Sequence, residues 1–470
     1  MNRLLLFILI FTNIYCSKTS INNQDNLPPV EVFAFPSVNT DSIVSITNTS
    51  ANCIGSIKSD GGLKITAKGF VWSTSINPTT ELNTKTNEGS GNLSFNSTIS
   101  NLTLGTKYYI RAYATNTKGT TYGKEVNFTT SNTKVYVTGQ FGGNSMLWLN
   151  GVEILNEGPN NSINSDDVFF NSMTISGNDT YIVGTKRNRR FKATLWKNGL
   201  ASNLDETDTT YVSGDTTFIE RGTEANSIFV SGNDIYIAGN QLITCNVQIS
   251  NVSSSSTNFA KAGFWKNGIR TNLTDGHHLA GATSVCVVGT DVYVTGYEIN
   301  AFGNFIAKVW KNGIATDLSK GDRYVAVAYS VKNIGQDIYI GSYDYGIAKI
   351  WKNGVASNLN QLGGTTLTSM SVSGNDVYAA GYTDTVINSY STSVGKVWKN
   401  GLPMSIISDG VNKIELWSIY VFGNDVYVCG RNYINDSNSP DAGKFIACVW
   451  KNGSFLMKLN GELANSIFVQ

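Results

Sequence analysis

The sequence predicts an all-β chain: a β-sandwich over residues 30–131, then a seven-bladed β-propeller over residues 134–470, closed by its C-terminal strand. Three observations carry that expectation. Glycine at 46 of 470 positions, with 22 Tyr and 21 Phe, favours short strands and tight turns over helices. One unit recurs seven times after residue 134. Finally, Ala464-Asn465-Ser466-Ile467-Phe468-Val469 repeats Ala225-Asn226-Ser227-Ile228-Phe229-Val230 letter for letter and then the array stops. Charged residues are 15% of the chain, below the usual ~25%, and the net charge is +1. Nucleic-acid binding and polybasic membrane binding both need a positive field that this balance does not supply. Hydrophobic content of 41% is enough for a core.

Residues 1–16 read as an address. Arg3 precedes an apolar run from Leu4 to Phe11, shorter than the ~20 residues that cross a membrane as a helix and of signal-peptide size. The segment ends at Cys16, and residues 17–29 form a polar tether closed by Pro28 and Pro29. This pattern resembles a bacterial lipoprotein signal. The resemblance implies that Cys16 is lipidated and that a lipid anchor holds the chain in the cell envelope, at the outer membrane, on the periplasmic or the surface side. An ordinary secretory signal is the alternative; either way the protein is exported. The five other cysteines, at 53, 245, 286, 429 and 448, have no disulfide or metal spacing. Cys429 and Cys448 fall on neighbouring strands, which leaves one bridge or two buried thiols.

Residues 30–131 alternate apolar and polar side chains in short stretches. The phase changes at Gly69, which marks a bulge or a close backbone approach, and Trp72 is the expected core aromatic. The run Leu102-Thr103-Leu104-Gly105-Thr106-Lys107-Tyr108, with an alternating strand after it, resembles the fibronectin type III pattern. That resemblance implies a sandwich, with Tyr108 as its tyrosine corner, a closing strand over 122–129, and a spacer or adhesion role. The turn Ser59-Asp60-Gly61-Gly62 is similar to turns in exported proteins of Bacteroidota.

The repeat has three landmarks. A Tyr-centred strand recurs at Tyr136, Tyr181, Tyr236, Tyr293, Tyr339, Tyr378 and Tyr427. A second strand ends in Trp-Lys-Asn-Gly, at Trp196, Trp265, Trp310, Trp351, Trp398 and Trp450, with Trp148-Leu149-Asn150-Gly151 as the seventh copy. A third begins at Ser172, Ser227, Ser284, Ser330, Ser369, Ser418 and Ser466, and a short outer strand follows each Asn-Gly. Four strands per unit fit propeller blades. Apolar residues on consecutive positions around each Tyr fit strands packed on both faces. The first Tyr strand has no Ser strand before it. Residues 464–470 therefore supply the missing one, which closes the ring and removes two open edges.

Spacing separates two faces. Ser to Tyr is always nine residues, and Asn-Gly fixes a two-residue type I′ turn. Tyr to Trp varies from 12 to 29 residues, and Trp to Ser from 16 to 31. The variable loops share one face, where binding groups are usually placed. The residue before each Ser enters the inner strand there: Asn171, Asn226, Thr283, Tyr329, Thr368, Trp417 and Asn465. Amides, hydroxyls and two aromatics in a ring suit a glycan or a protein partner, and they equally suit inter-blade packing and backbone capping.

Other features point less to a ligand. The run Lys186-Arg187-Asn188-Arg189-Arg190-Phe191-Lys192 is an anion contact or a solvated hairpin tip. Asp205, Glu206, Asp208, Asp215, Glu220 and Glu224 are acidic without regular Ca²⁺ spacing, as are Asp436 and Asp441 with Asn438. His277 and His278 stand together without a partnered ligand pattern. No cofactor, metal or catalytic residue is expected. The favoured reading is a lipid-anchored, non-enzymatic binding or adhesion protein. The alternative is a propeller lyase, hydrolase or lactonase acting at the central channel, which needs converging acid and base groups.

Overall fold

A computed structural model describes residues 33–470 apart from 92–93, 159–166, 189, 205–209, 214–215, 250–251, 323–324, 360–363 and 388–389. The signal segment, Cys16 and the tether lie outside the described residues. Every regular element among the described residues is a β-strand. The chain divides into two compact units, the first ending at Asn132 and the second spanning Thr133–Gln470.

The first unit has two sheets. One contains β1 (Ser37–Val44), β2 (Ala51–Ser59) and β4 (Phe95–Ile99) in the order β1-β2-β4. The other runs β3 (Ala67–Ser73), β5 (Lys107–Asn116), β6 (Gly119–Tyr122), and β7 (Val126–Thr129) also pairs β5. The closing strand expected over 122–129 is therefore two short strands, parted where the Gly123 N–H donates to Ala112 O. Their inner faces share one apolar core containing Cys53, Ile65, Phe70, Ile99 and Ile110. Phe70, fully buried, takes the centre that Trp72 was expected to hold; Trp72 packs at the margin, half-buried. The β3–β5 register runs unbroken through Gly69. A Cβ there would lie 2.4 Å from Thr86 O, so the phase change marks a close backbone approach. The Tyr108 hydroxyl accepts the Thr103 N–H at 2.9 Å and ties β5 to the preceding turn.

The second unit is seven antiparallel sheets. The first contains β8 (Val135–Phe141), β9 (Asn144–Leu149) and β10 (Val152–Glu157). Its inner position is taken by Leu463–Val469, which pairs β8 with Ile467 opposite Val137 and Phe468 opposite Tyr136. The other six follow the chain in the order Ser strand, Tyr strand, Trp strand, outer strand. The third departs from four strands: Thr210–Ser213, within the acidic insertion, pairs the Ser strand Thr216–Ser231 as a fifth. Its long Tyr-to-Trp spacing is a hairpin extension, with pairing carried from Tyr236 and Lys266 out to Ile249 and Val252. The greatest length variation is thus prolonged sheet rather than open loop.

Packing explains why the Tyr strands are apolar on both faces. Each repeat Tyr reaches forward to the next sheet and each repeat Trp reaches back to the previous one. Tyr136 shares a buried cluster with Phe170 and Trp196, Tyr181 with Trp265, and Tyr236 with Trp310. The pattern ends with Tyr427 and Trp148, together with Ile467 and Val469, in a cluster joining the seventh sheet to the first. A buried Trp of this kind contributes several kcal/mol, about 3–5 on truncation. Trp351 is the half-buried exception. Ser342 stands where the other Tyr strands carry Gly, and the Trp351 indole N–H donates to its hydroxyl at 2.8 Å.

The opposite end of each sheet is held by one recurring set. In the six Trp-Lys-Asn-Gly copies, the Asn side-chain oxygen accepts the first N–H after the Asp that opens the Tyr strand, as Asn312 does from Val292 at 2.8 Å. Its amide donates to that Asp, Asn312 to Asp291 at 2.7 Å. The Lys pairs with the same carboxylate, Lys311 with Asp291 at 2.8 Å, and lies 5.4 Å from the Tyr293 ring centroid. The Asn and Gly both have positive φ, 50° and 85° at Asn312 and Gly313, as a type I′ turn requires. In the first sheet, Lys134 occupies the Asp position and Leu149 the Lys position. Both members of the ion pair are replaced together, while Asn150 still accepts the Val135 N–H at 2.8 Å.

Candidate functional site

The seven residues named from the repeat share one structural property. Each is the extra residue of a bulge in its inner strand. Pairing passes from Phe170 to Ser172, from Ala225 to Ser227, and likewise in the other five sheets, leaving Asn171, Asn226, Thr283, Tyr329, Thr368, Trp417 and Asn465 unpaired. The partner strand carries Gly here in six sheets. At Gly184 a Cβ would sit 1.8 Å from Phe169 O, and at Gly296 the same distance from Gly281 O. Backbone contact that close admits no side chain, so the bulge and the glycine belong together.

The bulge turns all seven side chains onto a cavity of about 390 Å³ lined by the inner strands of all seven sheets. Five of them are engaged there with the neighbouring sheet. Asn171 donates to Ala225 O at 2.8 Å, Asn226 to Ala282 O at 2.9 Å, and Asn465 to Phe170 O at 2.8 Å. Thr283 donates to Ala328 O, and Thr368 to Leu416 O at 2.9 Å. In each case the acceptor immediately precedes the next bulged residue. The repeat serines extend this latch: Ser466 accepts the Met173 N–H at 3.2 Å, and Ser418 accepts the Ile467 N–H at 3.3 Å. Sequence reading took the serines as landmarks only. Their partners lie some 50 residues away or more, where no local pattern reveals them.

Tyr329 and Trp417 do not donate in this belt. Both are half-buried on the cavity. Burial pushes the Tyr329 hydroxyl up to about 12, reinforced by Tyr382, Tyr343 and Tyr297 around it. The Trp417 indole N–H is buried without a hydrogen-bond partner among the described residues, and the Arg431 guanidinium lies 5.9 Å from its ring centroid. Arg431 also pairs with the buried Glu415 at 2.7 Å, and Lys413 does so at 3.1 Å. That Lys–Glu–Arg group escaped the sequence reading because its members come from two strands.

The remaining candidates lie elsewhere. Lys186 pairs with Glu157 at 3.6 Å, and Arg187 stacks 5.3 Å from Phe191. Glu224 accepts from Asn240 at 3.2 Å; the side chains of Asp205, Glu206, Asp208, Asp215 and Glu220 fall outside the described residues. Asp436 caps the Asn438 N–H at 2.9 Å, and Asp441 pairs with Lys458 at 2.5 Å. His277 and His278 are exposed. Among the described residues no three His, Cys, Asp or Glu side chains are grouped to hold a metal. Cys53, Cys286, Cys429 and Cys448 are free and buried. Cys429 pairs with Val449 and Cys448 with Gly430, so the two thiols face opposite sides of their sheet and enter different cores. A bridge between them is excluded by that register.

No protein family matches the chain, and comparison with curated proteins finds no relative. Among solved structures, it is similar to an acylaminoacyl peptidase of Pyrococcus horikoshii at 12% identity and a TM-score of 0.32, covering 63% of this chain and 53% of that one. It is also similar to a puromycin-hydrolyzing peptidase of Mycobacterium tuberculosis at 9% identity and 0.31, covering 62% and 53%. The chain spans about half the length of either protein. Likenesses so distant leave the chemistry of this chain to its own residues.

Proposed function

We propose that the second unit is a closed seven-bladed β-propeller, that the first is a fibronectin type III-like spacer, and that the whole is an exported, lipid-anchored binding protein. Its loop-bearing propeller face meets a glycan, or an envelope or extracellular protein. Closure is supported by the pairing of Leu463–Val469 with β8 and by the core shared between the seventh and first sheets. The tie from Tyr108 to Thr103 supports the spacer.

One observation carries the functional reading. Of seven bulged side chains around one cavity, five are spent on inter-sheet hydrogen bonds, and the two aromatics, Tyr329 and Trp417, are not. An aromatic ring beside a polar tip offers a stacking face and a hydrogen bond together, the combination that a sugar ring or a peptide edge needs. The enzymatic alternative requires acid and base groups converging on the cavity. Among the described residues its titratable side chains are Tyr329, Lys332 and Tyr420.

The test is retention of immobilised glycans and envelope proteins by the full chain, compared with Trp417→Ala and Tyr329→Ala. The expected result is a loss of at least about tenfold in affinity with each variant still folded. Unchanged retention in both variants overturns the assignment of the rim. Lipidation is checked separately by mass spectrometry of the mature N-terminus against Cys16→Ser.

A further inference from the structure

Below the bulged residues the cavity has a second tier, made by the inner-strand position that pairs with each repeat Tyr. Its occupants include Thr174, Phe229, Lys332, Ser371, Tyr420 and Phe468, and all six line the cavity. Cys286 fills the seventh position and is buried, its thiol bonded to Asn333 Oδ1 at 3.2 Å. Lys332 is the one charged side chain on the cavity wall among the described residues.

Lys332 differs from every lysine of the repeat turns. Those six each hold an Asp within 2.9 Å. Lys332 makes no hydrogen bond or ion pair among the described residues, and no Asp or Glu there lines the cavity with it. Burial lowers its pKa, and the Cys286 thiol is the neighbour that opposes the shift. Lys332 is half-buried on the cavity wall; an ammonium left unpaired there pays part of the cost of desolvation, and an anion brought beside it removes much of that cost. A single cation with no arginine or second lysine fits a monoanion better than a phosphate. The same tier supplies three rings, and Tyr420 and Phe468 lie 4.6 Å apart at their centroids. A volume of about 390 Å³ falls within the ~300–1,000 Å³ of small-ligand sites.

We propose that this tier is a binding site for a small organic monoanion, a carboxylate with an aromatic or otherwise apolar body, whose charged group meets Lys332 while its body lies against Phe229, Tyr420 and Phe468. The site does not depend on what partner the outer face binds. A full chain that retains no glycan or protein can still hold this ligand.

Titration calorimetry of the full chain with benzoate, acetate and chloride tests the site. Benzoate is expected to bind wild type and Lys332→Arg comparably, and Lys332→Met at least about tenfold more weakly, with acetate and chloride weaker than benzoate in every protein. No heat from benzoate at about 10 mM with wild type, equal binding by Lys332→Met, or equal affinity for acetate and benzoate each overturns it. A second measurement needs no variant. Benzoate should slow acetylation of Lys332 by acetic anhydride several-fold while leaving Lys311 and Lys352 unaffected, read by peptide mass spectrometry; no protection overturns the proposal as well.

Discussion

At one end of the seven sheets the same Asp, Lys, Asn and Gly recur six times, while at the other the bulged residue changes from amide to hydroxyl to aromatic. The turn end closes a hairpin, and one side-chain set does that wherever it is needed. The bulge end must join each sheet to its neighbour. Asn and Thr do this with a single donated hydrogen bond, as from Asn226 to Ala282 O and from Thr368 to Leu416 O. Where Tyr329 and Trp417 replace them, the hydrogen bond is absent and an aromatic face appears instead. Variation in a repeat therefore marks two places of different meaning. Loss of the ion pair at Lys134 and Leu149 exchanges one turn solution for another, with the Asn150 hydrogen bond kept. The aromatic substitutions give up a bond between sheets for a new surface.

The sharpest way to break this comparison is to remove the strand both ends depend on. Deleting residues 463–470 takes Ala464, Ile467 and Val469 out of the core between the seventh and first sheets. It should cost upward of about 4 kcal/mol and abolish a single cooperative transition in thermal circular dichroism. A melt within about one degree of wild type, on the order of 1 kcal/mol or less for a unit of this size, would contradict the shared core. Next in size, Trp265→Ala empties a fully buried position and should cost about 3–5 kcal/mol. Trp351→Ala, half-buried and bonded to Ser342, should cost clearly less when both variants are unfolded in urea.

Smaller effects sharpen the contrast within the belt. Asn226→Ala leaves the Ala282 carbonyl without its donor and should cost about 1–3 kcal/mol. Tyr329→Phe removes no inter-sheet bond and should leave the denaturation midpoint unchanged. Equal losses in both variants would show that the belt makes no distinction between its members. The smallest effect is electrostatic. Pairing with Lys, together with the Asn amide, lowers the pKa of Asp179, Asp234, Asp291, Asp337 and Asp376, and the Lys partners are raised in turn. The lowered carboxyls contribute stability that is present above about pH 4 and lost as pH falls through their folded-state values. The raised lysines contribute stability that is present below about pH 10 and lost as pH rises through theirs. Asp291→Asn with Lys311→Met should flatten both limbs of the melting-temperature profile slightly, because these exposed pairs are screened by solvent.

Much of this was legible because a repeat tests each landmark seven times. Tyr, Trp and Ser positions, the type I′ turns and the pairing of Ile467 with Val137 follow from spacing and strand chemistry. Legibility failed where contacts join residues that one unit does not contain. The bulge has a local sign, since Gly184, Gly239 and Gly296 stand three residues after their Tyr, but the donated bonds that exploit it cross from one sheet to the next. Lys332 was overlooked for a different reason. Tyr-Ser-Val-Lys looks like an ordinary alternating strand until it is aligned with Trp-Ser-Ile-Tyr and Asn-Ser-Ile-Phe. Thr210–Ser213 was missed because an acidic insertion reads as loop, and Phe70 displaced Trp72 because four consecutive residues of β3 are buried.

The bond between Gln470 and the Tyr136 hydroxyl spans 334 positions, and that separation sets an order of events. During synthesis, β8 must wait with an uncovered apolar edge until nearly all later sheets have arrived. Contacts so remote slow folding, and waiting edges invite wrong partners. A holdase would act chiefly on β8, and the final snap of Leu463–Val469 into place would be the step that releases it.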